Sequence, residues 1–289
     1  MRAVFMNTSR GVFTASCPHL ECSVSMPNEF PAPWASDWGE DVHHGLWMSL
    51  QYRGVRQQLR WIPPGTFRMG SPGREAERFA GEIQNQVTLS QGFWLADTTC
   101  TQALWEAVLG ENPSRFTGAE RPVEQVSWED AQRFLERLNA VLTDGAFRLP
   151  TEAEWEYACR AGTTTPFWFG EQITPEQVNY DGNHPYADGR RGVYRSETVP
   201  VQALPCNGWG LYQMHGNVWE WCQDRYGAYD AGPVRDPAGP DTGGHRVLRG
   251  GGWIDGAWYV RSAYRLAYLP GNRDDGMGFR LARGQGPAR

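Results

Sequence analysis

Apolar residues recur at helical spacing in three short segments in the first half of the chain. Residues 101–109 begin at a threonine and place Leu104 and Val108 on one side, which is typical of an amphipathic helix. Residues 127–139 begin at a serine and carry acidic side chains in their first turn, and residues 151–160 repeat this pattern before a glycine. These segments predict three helices.

Alternating apolar and polar residues predict strands in residues 58–70, on either side of a proline turn, and in residues 86–95. After Gly162 the chain reads as loops with short aromatic strands as far as Arg283. Helices in the first half followed by a loop-rich second half predict an α+β domain with a small, twisted antiparallel sheet.

The patterns divide the chain into three regions. Residues 58–283 form one domain, residues 284–289 are a tail, and residues 1–57 read as an irregular N-terminal extension. Because large aromatic side chains favour burial, we expect this extension to pack on the main body. The tryptophans that support this expectation are Trp34, Trp38 and Trp47.

The composition excludes several classes of protein. The net charge is -6, without a basic block or a run of like charges, so nucleic acid is not an expected partner. No apolar run is long enough to span a bilayer, and the N-terminus does not resemble a secretory signal. We therefore expect a monomer in the cytoplasm, with surface display by another route left open. The 6 cysteines are too few for a disulfide scaffold.

Three longer motifs carry a family resemblance. They are FRLPTEAEWEYACRAG in residues 147–162, GLYQMHGNVWEWCQD in residues 210–224, and RVLRGGGW…RSAYR…GFRLA in residues 246–282. Together they resemble the formylglycine-generating enzyme (sulfatase-modifying factor) family over residues 58–283. The resemblance implies a C-type-lectin-like fold with two main helices, a small twisted sheet and many long ordered loops.

The resemblance also bears on catalysis. Oxidase members of the family hold copper through two cysteine thiolates shortly after the GG-[SG]-[WY] motif, because Cu(I) prefers sulfur ligands. Residues 254–268, IDGAWYVRSAYRLAY, contain no cysteine. We therefore expect a protein that is not an enzyme. Two alternatives stay open: a formylglycine-generating-type oxidoreductase or protein-modifying enzyme with other chemistry, and a lectin-like accessory domain that binds a fixed partner.

The C-terminal motif contains recurring Arg, Gly, Trp and aliphatic residues, which we call the frame, and irregular residues between them, which we call the filler. The motif resembles the variable proteins of diversity-generating retroelements. In those proteins adenine-directed mutagenesis of AAC-type codons recodes residues on a lectin-like fold. The residue types of the filler in residues 250–278 are ones that such recoding can produce. The resemblance thus implies a hypervariable face for a protein or carbohydrate ligand, at Gly252, Ile254, Asp255, Gly256, Trp258, Tyr259, Tyr264, Leu266, Ala267, Tyr268, Leu269, Gly271, Asn272, Asp274, Asp275 and Gly276.

The residue types of the filler suit a binding surface. Trp258, Tyr259 and Tyr268 offer large contact areas with little rotamer entropy, as in antibody paratopes. The alternative for Tyr264 and Leu266 is that they belong to the core. The frame arginines are expected to brace loops by bonding carboxylates and carbonyls; they are Arg249, Arg261, Arg265 and Arg273.

A calcium site is a further expectation that rests on the resemblance. Family members hold calcium near the GNVWEW motif, and the matching positions are Gln213, Gly216, Val218 and Glu220. Calcium takes hard oxygen ligands, and the neutral Gln213 departs from the family's shorter Asn or Asp. The alternative is a purely structural Glu220. No cofactor is expected to be required. The three glutamates in residues 152–156 suit helix capping and bracing better than acid–base chemistry.

Overall fold

The computed structural model describes residues 26–229 and 232–284. The beginning of the predicted N-terminal extension, residues 1–25, lies outside this part of the chain, as does the tail after residue 284. The three-region division therefore stays a prediction.

The three predicted helices are confirmed. They are α1 (Gln102–Leu109), α2 (Trp128–Val141) and α3 (Glu152–Arg160). Each begins after a hydroxyl side chain that accepts a hydrogen bond from a backbone N–H of the first turn, and these residues are Thr101, Ser127 and Thr151. In α2 and α3 an acidic side chain completes the capping box. No helix in residues 26–229 or 232–284 is long and apolar enough to cross a membrane.

The strands of the described residues are short. In chain order they are β1 (Asp37–Asp41), β2 (Gly45–Tyr52), β3 (Val55–Ile62), β4 (Gly65–Met69), β5 (Asn85–Leu89), β6 (Phe93–Ala96), β7 (Phe147–Arg148), β8 (Trp219–Arg225), β9 (Val234–Arg235), β10 (Arg246–Arg249), β11 (Arg265–Tyr268), β12 (Met277–Gly278) and β13 (Ala282–Arg283). The single strand predicted over residues 86–95 is wrong: it is β5 and β6, separated at residues 90–92, where Gly92 lies against the ring of Trp61.

The strands form three sheets. The largest has the order β1–β2–β3–β6–β13–β7, a second has the order β11–β10–β8–β12, and β4–β5–β9 form the third. The second sheet carries the C-terminal motif, with β10 antiparallel to both β8 and β11. Long loops occupy residues 161–218 between α3 and β8.

The segment that was expected to be irregular contains regular structure. Strands β1 and β2 both precede residue 58 and pair with each other, with Asp37 opposite Ser49. The turn from β2 to β3 is made by Arg53 and Gly54, with φ angles of 47° and 83°. Two successive positive φ angles are the signature of a two-residue hairpin turn, so the irregular description of this stretch is wrong.

The core anchors the C-terminal motif to the helices. Trp105 of α1 stacks on Phe134 of α2 with ring centroids 5.4 Å apart. Phe279, from the C-terminal motif, meets Phe134 edge-on at 5.4 Å and Trp105 at 6.1 Å. All three side chains are buried. The end of the motif around Phe279 therefore lies in the core of the molecule.

Candidate functional site

The C-terminal segment, residues 249–276, is held by buried arginines. Arg249 donates through Nη2 to the carboxylate of Glu156 and to the carbonyl of Ser262 at 2.7 Å. Its Nη1 donates to the carbonyls of Ala263 and Tyr264, at 3.1 and 2.6 Å. Burial opposes the charge of Arg249, but the carboxylates around it raise its pKa above the usual value.

Arg261 joins the segment to a distant loop, residues 70–84. Its guanidinium donates to the carboxylate of Glu82 at 2.7 and 2.8 Å and to Glu75 at 2.6 Å. It also donates to the carbonyl of Trp258 at 3.0 Å. Because the side chain of Arg261 is buried, these bonds fix the loop 70–84 against the segment.

Two further arginines complete the frame. Arg265 pairs with Glu152 of α3 through Nε at 2.8 Å and Nη2 at 2.6 Å, and lies over the rings of Tyr226 and Tyr229. Arg273 pairs with Asp130 of α2 at 2.7 and 3.0 Å. The prediction that frame arginines brace loops is confirmed by these contacts.

The carboxylate of Glu220 is held in a buried ion pair. Both of its carboxylate oxygens accept from Arg280, at 2.6 and 2.7 Å, and one also accepts from the indole of Trp155 at 2.8 Å. A guanidinium thus occupies the place next to this carboxylate where a cation would have to bind. The structural alternative describes Glu220 in this arrangement.

The other three suggested calcium ligands also have structural roles. Gln213 donates through its amide to the carbonyl of Pro200 at 2.8 Å, and the carbonyl of Gly216 accepts from the N–H of Val218 at 2.9 Å. The described residues contain no group of three or more His, Cys, Asp or Glu placed to hold a metal. The side-chain oxygen of Gln213 is buried and has no hydrogen-bond partner among the described residues, so calcium at these four residues stays a prediction from the resemblance.

The suggested variable positions fall into three classes of exposure. The exposed ones are Ile254, Leu269, Gly271 and Asp274. The half-buried ones are Asp255, Trp258, Tyr259, Leu266, Ala267, Tyr268, Asn272 and Asp275. The buried ones are Gly252, Gly256, Tyr264 and Gly276.

For the buried positions, an outward-facing role is wrong. Tyr264 is 7% exposed and packs on Trp219 with ring centroids 5.8 Å apart, so the core alternative describes it. A Cβ on Gly256 would meet the ring of Trp258 at 2.7 Å, and one on Gly252 would meet the carboxylate of Asp255 at 3.3 Å. These positions support the surface without forming it.

Several half-buried and exposed side chains form one aromatic patch, which we define as Phe79, His184, Trp258, Tyr259 and the underlying Tyr264. The ring of Tyr259 lies 5.5 Å from Trp258 and 4.9 Å from Tyr264, measured between centroids. Phe79 stacks on Tyr259 at 6.2 Å and meets Tyr264 edge-on at 4.8 Å. His184 meets Trp258 at 6.0 Å.

Sequence analysis missed Phe79 and His184, which come from loops far from the C-terminal motif. Phe79 is 43% exposed, although it is a large apolar residue. Its signal in the sequence is an isolated aromatic within a charged loop, REAERFAGE, which alone does not locate it beside Tyr259. The Arg261 bonds to Glu75 and Glu82 bring it there.

The acidic positions of the segment are partly engaged in structure. Asp255 accepts from the indole N–H of Trp219 at 2.7 Å and from the N–H of Gly252 at 2.8 Å. Burial raises the pKa of Asp255 to about 6, against the effect of these bonds. Asp274 accepts from the N–H of Gly276 at 3.1 Å, and Asp275 pairs with Arg115. The carboxylate of Asp255 therefore closes a turn within the segment.

The thiols in the described residues do not form the copper site of the oxidases. The segment 254–268 offers no sulfur ligand, so it does not fit a copper ion held by two thiolates. Beneath it, Cys159 lies 3.7 Å from both Nε2 of His215 and Oγ of Ser262. Burial raises the pKa of Cys159 to about 12 and lowers that of His215 to about 4, so this pair is uncharged at neutral pH.

Comparison with known proteins agrees with the motifs. A family model described as "Sulfatase-modifying factor enzyme 1-like domain" matches residues 50–285. The chain belongs to this family. The predicted α+β fold of the C-type-lectin-like type is confirmed by similarity to the structure of Treponema denticola variable protein 1. That structure is 28% identical with a TM-score of 0.70, and the match covers 82% of this chain and 98% of the other.

Curated relatives include formylglycine-generating enzymes. The Streptomyces coelicolor enzyme is 38% identical over 227 residues, covering 72% of this chain and 70% of the relative. The bovine enzyme is 33% identical over 219 residues, covering 73% of this chain and 55% of the relative. The chain thus spans about half the length of the bovine relative.

These relatives correct the expectation that the chain is not an enzyme. That expectation rested on the missing cysteine pair, yet proteins named formylglycine-generating enzyme match most of the chain at 33–38% identity. Proteins named inactive C-alpha-formylglycine-generating enzyme 2 match it as well. The family is an enzyme family, and one missing motif does not place the chain outside it.

Proposed function

We propose that the protein binds a macromolecular ligand through the aromatic patch and the neighbouring exposed residues of segment 249–276, in the manner of a retroelement variable protein. The likeness to Treponema denticola variable protein 1 supports this proposal. The proposal rests on how the segment is held. The frame arginines bond backbone carbonyls of the segment and make few bonds with its outward side chains.

The backbone contacts make the argument concrete. Arg249 bonds the carbonyls of residues 262–264, and Arg261 bonds the carbonyl of Trp258. The carbonyl of Asp255 accepts from the N–H of Asp181 at 2.9 Å, and that of Leu269 accepts from Asn272 at 3.0 Å. A backbone group is the same whatever the side chain. Outward residues can therefore change while the path of the chain is preserved.

The chemistry of the patch indicates the kind of ligand. Aromatic rings with a polar edge supply contact area at a low cost in conformational entropy, and they are common anchors in paratopes. Trp258 and Tyr259 provide such rings, and Ile254 and Leu269 add apolar surface that is 53% and 50% exposed. A protein or a carbohydrate with exposed apolar faces fits this surface.

A display experiment tests the proposal. Four outward positions would be randomised together, and the library would be panned against a model protein such as lysozyme; the positions are Ile254, Trp258, Leu269 and Asn272. We expect folded, specific binders. A control library at the buried positions Val260, Ala263 and Tyr264 should be largely unfolded. Failure to recover any folded binder from the first library would contradict the proposal.

A genomic observation tests the retroelement part separately. We expect a near-copy of the coding sequence for residues 250–278 close by, differing only at adenines and lying next to a reverse transcriptase gene. A genome that contains the full locus without such a copy would exclude diversification by this route. The binding face would then serve a fixed partner.

Formylglycine generation is the second candidate function, and the 38% identity to the Streptomyces coelicolor enzyme favours it. In that case the aromatic patch would bind a protein substrate. The test is incubation of copper-treated protein with a cysteine-containing peptide, followed by detection of an aldehyde by hydrazide labelling. Aldehyde formation that is lost on substitution of one of the chain's 6 cysteines would establish the activity. Absence of aldehyde under these conditions would count against it.

A further inference from the structure

A cleft of about 540 Å³ lies between the loop after α1, the start of α2 and the end of the C-terminal segment. This volume is within the range of small-molecule sites in proteins. Three arginines, Arg115, Arg133 and Arg273, stand around it, together with Glu111 and Asp130. None of these side chains belongs to the aromatic patch, so the cleft is a separate feature of the surface.

The arginine side chains are accessible and are held in place. Those of Arg115, Arg133 and Arg273 are 62%, 54% and 51% exposed. Each pairs with a carboxylate: Arg115 with Asp275, Arg133 with Glu111 at 3.2 Å, and Arg273 with Asp130 at 2.7 Å. These pairs orient the guanidinium groups but use only some of their five N–H donors. The remaining donors are available to a ligand that enters the cleft.

The side chains around the cleft favour a ligand with oxygen acceptors. Three guanidinium groups face two carboxylates among the lining residues. Burial tends to raise the pKa of Asp130, but hydrogen bonds from Arg273 and Ser127 outweigh it and lower the pKa, so this carboxylate is charged. Asp275, the partner of Arg115, balances the third guanidinium, so the three ion pairs are neutral overall. Arg still suits oxygen anions, because it can donate two parallel hydrogen bonds.

The wall of the cleft also contains an unsatisfied donor. The indole of Trp105 lines the cleft, and its Nε1 is buried and has no hydrogen-bond partner among the described residues. A buried N–H without an acceptor is unfavourable. This nitrogen is closed to solvent, so a ligand in the cleft would reach it only after a local movement of the wall.

We propose that this cleft binds a small oxyanion, a carboxylate or a phosphate group, through Arg115, Arg133 and Arg273. The proposal is independent of the ligand of the aromatic patch. The cleft borders segment 249–276 through Arg273 and through the Arg115–Asp275 pair. An anion in the cleft would compete with those carboxylates for the same donors.

Titration calorimetry at low ionic strength, with inorganic phosphate and separately with succinate, tests the proposal. We expect saturable binding of at least one probe, weakened about three- to tenfold in Arg133→Gln, because a charged hydrogen bond is lost. Binding of phosphate alone would identify a phosphate site, and binding of succinate alone would identify a carboxylate site. In Glu111→Gln, the competing carboxylate is gone, and binding should tighten severalfold.

Arg133→Gln should weaken binding and Glu111→Gln should strengthen it, so the two variants together distinguish loss of the site from damage to the fold. Arg56→Gln is the matched control, because Arg56 is a half-exposed arginine paired with Asp37 at 3.3 Å, away from the cleft. It should leave the affinity unchanged. Absence of saturable binding of both probes up to tens of millimolar would overturn the proposal, as would equal affinity in the wild type and in Arg133→Gln.

Discussion

Arg261 and Trp258 lie three residues apart in one segment, and they have different structural roles. The side chain of Arg261 is buried and bonds Glu75 and Glu82. Trp258 is half buried, and it contributes its backbone carbonyl to Arg261 while its ring joins the aromatic patch. The segment thus separates residues that stabilise the fold from residues that form the surface. Such a separation lets one backbone carry different surfaces.

The strongest test of this comparison is substitution of a frame arginine. In Arg249→Met, Glu156 loses a partner in the interior and three backbone carbonyls lose their donor. Breaking a buried ion pair from one side costs about 3–5 kcal/mol. We expect a loss of this size in the free energy of unfolding, measured by denaturant titration. Arg56→Met, at an exposed pair, should cost less than about 1 kcal/mol; a similar loss in both variants would contradict the comparison.

Substitution of Arg261 should act more locally. In Arg261→Gln the carboxylates of Glu75 and Glu82 lose their guanidinium, so the loop 70–84 should open more often. We expect faster hydrogen exchange at the amides of Ser71 and Glu82, whose N–H groups bond within this loop. The amide of Leu142, at the end of α2, should be unaffected. Unchanged exchange in the loop would show that Arg261 does not hold it.

The free energy of unfolding is also expected to depend on pH through Asp224. Burial, with the neighbouring Glu152, raises the pKa of Asp224 to about 8. The folded state then binds a proton that the unfolded state releases above about pH 4. Stability from this group is therefore present at low pH and is lost as the pH rises towards 8, by at most about 1.4 kcal/mol per pH unit.

The variant Asp224→Asn has no titratable group at this position, so it should show a smaller decline in the free energy of unfolding between pH 5.5 and 8.5. His215 provides a contrast. Burial lowers the pKa of His215 to about 4, so its contribution is lost as the pH falls below about 6.5. An equal decline in Asp224→Asn and the wild type would show that Asp224 is already charged in the folded protein.

The smallest effects are expected on the surface. Leu269→Ser changes a side chain that is 50% exposed, and it should alter the free energy of unfolding by no more than about 0.5 kcal/mol. Tyr264→Ser, in the same segment but in the core, should cost several times more. Thermal denaturation of the two variants side by side measures the difference. Equal losses would mean that exposure does not separate the two roles.

The sequence predicted the helices and the roles of the frame arginines because those features leave local signals. Capping residues precede each helix, and arginines recur within a glycine-rich motif. Exposure within the segment was harder to predict. Tyr264 and Tyr268 are the same residue type in one motif, and tertiary packing buries the first and leaves the second half exposed.

Long-range contacts could not be predicted, because no local pattern in the sequence specifies them. Phe79 joins the aromatic patch because Arg261 bonds carboxylates about 180 positions earlier in the chain. Likewise, the pairing of Glu220 with Arg280 is not encoded by any local spacing. The hairpin before residue 58 was not predicted because its turn signal is a single pair of residues, Arg53 and Gly54.

The most direct test of the central claim is the stability of a chain in which the outward residues are replaced together. The variant would carry serine at Ile254, Trp258, Leu269 and Asn272. We expect a cooperative unfolding transition and a loss of at most about 3 kcal/mol, no more than that of the single substitution Arg249→Met. A chain that fails to fold, or that loses more than Arg249→Met, would contradict a frame that is independent of its surface.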